Sequence, residues 1–78
     1  MNRETMEARR RLRGATRAEF ERMVYEAMLT PTQEKVLRLH IAEDLSVCCI
    51  SMRLSCSETF VRNRLFEAYK KVSKLKGL

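Results

Sequence analysis

At 78 residues, with 45% apolar residues, one Pro and two Gly, the chain has room for a single small domain and none for a deep catalytic pocket with its scaffold. Sixteen basic residues against ten acidic ones leave a net charge of +6, which draws a domain toward polyanions through counterion release. No apolar run reaches the about 18 residues a membrane span needs, and Met1-Asn2-Arg3-Glu4-Thr5 holds no signal-peptide core, so neither membrane insertion nor secretion is expected.

Residues 2–13 are polar and rich in arginine: Arg3, Arg9, Arg10, Arg11 and Arg13, with Met6, Ala8 and Leu12 as the apolar positions before Gly14. We read residues 1–15 as a basic N-terminal arm or frayed helix, a solvated tail being the simplest form, and residues 16–78 as the folded domain. Thr16 and Glu19 form a T-x-x-E capping box, in which each side chain satisfies a free backbone N–H of the other residue. Phe20, Met23, Val24, Ala27 and Met28 then recur at helical spacing, which predicts a helix over 17–28 with these residues in the core.

Thr30-Pro31-Thr32-Gln33 is a second start signal, with Pro31 at the first helical position, where its missing N–H costs nothing. Val36, Leu37, His40 and Ile41 predict the buried face of a helix over 31–42, and Leu45 is expected to plug inward. Ser46 caps a short helix over 47–54 carrying Ile50 and Leu54. Ser55-Cys56 makes a tight turn, and Ser57, followed by Glu58, caps a last helix whose apolar face is Val61, Leu65, Ala68 and Val72. The fold class expected is all-α, a small helical bundle. Its core is Phe20, Val24, Leu37, Ile41, Leu45, Ile50, Leu54, Val61 and Leu65, and the Lys74–Leu78 end frays.

Two short consecutive helices, the second capped and basic, form the helix-turn-helix pattern. Residues 29–72 carry Leu29-Thr30-Pro31, Val36-Leu37-Arg38-Leu39, Glu43-Asp44-Leu45-Ser46, Ile50, Leu54, Ser57-Glu58, Val61-Arg62, Leu65 and Ala68-Tyr69-Lys70-Lys71 in one register. This stretch resembles the fourth conserved region of bacterial sigma factors and is similar to the LuxR-type response-regulator domain. The resemblance implies a sequence-specific, promoter-binding transcriptional regulator whose partner is double-stranded DNA. It also implies base reading by Glu58, Thr59, Phe60, Arg62, Asn63 and Arg64 on the last helix. The chemistry agrees: arginine pairs bidentately with guanine and asparagine with adenine. Lys70, Lys71, Arg38 and Arg53 suit phosphates, which position a protein without specifying sequence.

Three features depart from the pattern. Ser55 stands where a small turn residue, often glycine, is usual. Cys48 and Cys49 replace exposed charged residues, and Phe60 and Phe66 replace small polar ones. Exposed apolar groups mark protein contacts. A protein-binding module on the same scaffold is therefore the alternative: an RNA polymerase-binding regulator, an inhibitor of a nucleic-acid enzyme, or a homodimer. Nothing resembles the promoter-melting regions of a full sigma factor.

The chain is not expected to be an enzyme. It has one histidine, no glycine-rich phosphate loop and no nucleophile motif. The odd cysteine set, Cys48, Cys49 and Cys56, suggests reduced thiols in a cytoplasmic protein. Adjacent cysteines fit the C-x-x-C spacing of zinc sites poorly, so no metal and no cofactor are expected.

Overall fold

Thr5, Ala8 and Leu12, at spacings of three and four, turn the arginine-rich segment into a helix with one buried face, Ala8 and Leu12 being almost fully enclosed. The computed structural model describes residues 3–75, and this helix, α1, runs Arg3–Gly14. The solvated-tail reading of residues 1–15 does not hold. The stripe runs through Thr5 rather than Met6, which is exposed, so a polar residue concealed the amphipathic pattern. The remaining α-helices are α2 (Arg17–Ala27), α3 (Pro31–Leu37), α4 (Val47–Leu54) and α5 (Glu58–Ser73). A π-helical segment, Arg38–Ala42, continues α3. There is no strand among the described residues, and the protein is all-α. Part of the expected frayed end, residues 76–78, lies outside the described residues; Leu75 packs against the core.

The starts of α2 to α5 are those the sequence signals predict. Both capping boxes form, Thr16 with Glu19 and Thr30 with Gln33, each through two reciprocal bonds of 3.0–3.2 Å. Ser46 accepts from the Cys49 N–H and Ser57 from the Phe60 N–H. The ends hold the differences. α2 stops at Ala27, and Met28 turns left-handed (φ 53°), which swings its side chain out to 81% exposure; its place in the predicted core stripe is thereby lost.

The helix expected over 31–42 changes pitch. The Glu43 N–H reaches the Arg38 carbonyl at 3.2 Å, five residues back, so one extra residue enters the turn and the phase shifts. Leu39 becomes buried, and His40 and Ile41 are left half-buried. The Leu45 N–H bonds back to the Leu39 carbonyl at 3.0 Å, which fixes the route into α4.

The core joins all five helices around α5, which packs against α1, α2, α3 and α4. Six of the nine predicted core residues are buried: Phe20, Val24, Leu37, Ile50, Val61 and Leu65. Ile41, Leu45 and Leu54 pack against the core from its edge. The largest fully enclosed side chain is Tyr69, outside the predicted set. It falls four residues after Leu65, so the spacing already placed it on the inner face.

Candidate nucleic-acid interface

α4 and α5 are joined by Ser55-Cys56-Ser57. Ser55 is left-handed (φ 56°, ψ 48°), a conformation that costs a non-glycine residue about 1 kcal/mol or more. Two bonds compensate. The Ser55 N–H donates to the Met52 carbonyl and the Cys56 N–H to the Ser51 carbonyl at 3.0 Å, the pair that closes a Schellman end. Ile50 at the middle of α4 is fully buried, and the sharp turn lets α4 pack against α5.

The candidate residues then separate into two groups. Glu58, Thr59, Phe60, Arg62, Asn63 and Lys70 lie exposed on α5, and Arg53 is exposed on α4. Thr59, Arg62, Asn63, Phe66 and Lys70 recur at three- and four-residue intervals and form the outer side of the helix, away from Val61, Leu65, Ala68 and Val72. Arg62 carries one loose ion pair, 3.3 Å to Glu58 one turn earlier, and Arg53 carries another, 3.3 Å to Glu43. Exposed pairs of this kind contribute little and exchange readily for a better anion.

Arg64, Lys71 and Arg38 are held inward. The Arg64 guanidinium stacks 4.9 Å from the Phe60 ring centroid and donates to Glu67 at 2.8 Å. Its Nε is buried with no partner among the described residues. Lys71 donates to the Gln33 amide oxygen at 2.9 Å, and Gln33 in turn donates to Glu67 at 3.1 Å. The Gln33 hydrogen bond, helped by Arg64, keeps the Glu67 carboxylate below its ordinary range. This network ties the start of α3 to the middle of α5.

Arg38 does similar work elsewhere. It donates to both Glu21 oxygens at 2.6 and 2.7 Å and to Glu34 at 3.0 Å, while lying over the Phe20 ring. These bonds, those to Glu21 first, raise the Arg38 pKa further and depress that of Glu21. Three of its N–H groups are spent on this clamp, which leaves Arg38 a structural residue more than a phosphate ligand.

Beside the outer face of α5 runs a groove of about 350 Å³ lined by Val47, Arg62, Asn63, Leu65, Phe66 and Tyr69. Phe66 departs from the sequence pattern and so is visible there; Val47 carries no such signal, because its role depends on where the start of α4 lands. Cys48 and Cys49 are exposed just beyond it, Cys56 is half-buried, and all three thiols are free. Among the described residues no cluster of three or more His, Cys, Asp or Glu side chains is placed to hold a metal ion. No described helix is long and apolar enough to cross a membrane. Compared with known proteins, the chain matches no family model, no curated protein and no solved structure.

Proposed function

We propose that this chain is a sequence-specific DNA-binding transcriptional regulator of the helix-turn-helix kind, with α5 as its recognition helix. The observation that carries the reading is the outer row Thr59, Arg62, Asn63 and Lys70. It is exposed, largely free of strong internal partners, and mounted on a helix braced by the other four. A helix presented this way fits the major groove, where each base pair displays its own donor and acceptor pattern. Arg62 and Asn63 are then the base readers for guanine and adenine. Lys70 and Arg53 meet phosphates. The resemblance of residues 29–72 to sigma region 4 and LuxR-type domains supports the same assignment. Arg64, Lys71 and Arg38 drop to supporting roles because their charges are already engaged.

Selection of preferred duplexes from a random pool tests this. Arg62→Ala should cost about 1–3 kcal/mol and relax preference at one base position. Lys70→Ala should weaken all sequences alike. A pool that yields no preferred sequence contradicts the reading.

One observation favours the alternative, a protein-binding module acting on RNA polymerase or another nucleic-acid enzyme. Phe60 and Phe66 are 38% and 40% exposed, and Phe66 lines the groove with Val47. Aromatic anchors dominate protein interfaces. Under that reading Phe66→Ala abolishes capture of a partner while Arg62→Ala has little effect on it.

A further inference from the structure

A cleft of about 320 Å³ opens between the end of α1, the first turns of α2 and the π-helical segment. It shares no residue with the groove beside α5. Its size lies at the lower end of the range of small-molecule sites, about 300–1,000 Å³.

Leu12, Phe20 and Ile41 give the cleft its apolar surface. Leu12 and Phe20 belong to the core. Ile41 is there because of the pitch change. The extra residue between Arg38 and Glu43 carries Leu39 into the core and leaves Ile41 half-buried, in the wall of the cleft. A π-helical turn of this kind recurs at functional sites.

Three arginines, Arg13, Arg17 and Arg38, line the same cleft against one carboxylate, Glu21. These charges do not cancel. Arg38 takes both Glu21 oxygens, at 2.6 and 2.7 Å, so that carboxylate is spent inside the wall. Arg17 is attracted to Glu21 at longer range, and its guanidinium makes no hydrogen bond or ion pair among the described residues. Arg13 makes a 3.2 Å pair with Asp44, whose side chain is 81% exposed and stands outside the cleft. Such a pair exchanges readily for a better anion. Two guanidiniums, one unpaired and one loosely held, therefore border an apolar surface. A guanidinium matches a carboxylate or phosphate with two parallel donors, and an apolar wall beside it takes the hydrocarbon part of the same molecule.

We propose that this cleft binds a small organic anion, an apolar body with one carboxylate or phosphate head. Arg13 and Arg17 hold the head, and Leu12, Phe20 and Ile41 receive the body. The site is independent of the DNA-binding reading.

The test titrates the whole chain with naphthoate and with naphthyl phosphate, up to about 1 mM, while backbone amides are followed by NMR. Uncharged naphthalenemethanol is the comparison. At least one anion should saturate at one per chain, with the shifts centred on residues 15–21 and 41–42. The tighter of the two identifies the head group. Arg13→Gln and Arg17→Gln should each weaken it about tenfold, and the double variant further, while both fold as wild type does. Arg3→Gln removes the same charge at the far end of α1, where Arg3 pairs with Glu7, and should bind as wild type. No saturation by either anion, shifts centred on α5, equal binding of naphthalenemethanol, or an equal loss in Arg3→Gln overturns the site. None of these outcomes bears on duplex binding, which is measured separately.

Discussion

Arg38 and Glu21 are joined by two hydrogen bonds of 2.6 and 2.7 Å that bind the π-helical segment to α2. A cation facing solvent in the sequence is therefore a fastener between elements in the fold. Charge-assisted bidentate pairs are stronger than single surface pairs, though partial exposure discounts them. We expect Arg38→Ala to cost about 1 kcal/mol, a fall of about 4–8 °C in Tm for a chain of this size. It should leave the salt slope of DNA binding as it was. A lowered slope with an unchanged Tm would return Arg38 to the phosphate-binding set.

The integration of α1 gives a sharper stability test. Leu12 is 2% exposed, and Leu12→Ala should cost about 2–5 kcal/mol, enough to unfold much of so small a domain. Tyr69→Phe should act in the opposite direction. The Tyr69 hydroxyl is buried with no partner among the described residues, and removing it relieves a desolvation penalty of about 1 kcal/mol or more. Thermal melts of the two variants check both. A mild Leu12→Ala effect together with a damaging Tyr69→Phe effect would mean that α1 and α5 are not packed as described.

Ser55 offers a gain. Its left-handed backbone closes the turn before α5, and glycine adopts that conformation without the Cβ penalty. Ser55→Gly should raise stability by about 1 kcal/mol. A lower Tm in that variant would show that the turn is not left-handed in solution.

Helices α2 to α5, their caps and the outer row of α5 were legible in the sequence because each depends on residues within one or two turns of one another, whereas the packing of α1 was not. Thr16 finds Glu19 and Thr30 finds Gln33 wherever the rest of the chain goes. What stayed hidden depends on distant partners. Leu39 is buried because of a pitch change that no apolar spacing announces. Gln33 reads as half of a capping box and is also the bridge to Glu67 and Lys71, residues 34 and 38 positions away. The same holds at the candidate site: Arg62 and Arg64 look alike in the sequence, and only the packing of Phe60 and Glu67 against Arg64 separates them.

His40 sets the expected pH dependence near neutrality. Burial, with smaller contributions from Arg9 and Arg13, holds its pKa below the usual 6.5, against the opposing pull of the Leu45 carbonyl bond and Asp44. The folded protein therefore binds fewer protons than the unfolded chain between the lowered value and 6.5. Stability should rise with pH through that window and level off above it. Melting temperatures measured from about pH 5 to 8 should show this slope, and His40→Gln should flatten it. A wild-type Tm that falls as pH rises across the window would contradict a half-buried His40 whose neutral form is favoured.

The most direct test of the proposed function is binding of the whole chain to duplex DNA from about 50 to 200 mM salt, beside Arg62→Ala and Asn63→Ala. We expect wild type to bind at low salt and to weaken steeply as salt rises. Each substitution should cost about 1–3 kcal/mol on the preferred sequence and little on random duplex. No binding at the lowest salt, or binding by both variants equal to wild type on the preferred sequence, would contradict α5 as a DNA-reading helix.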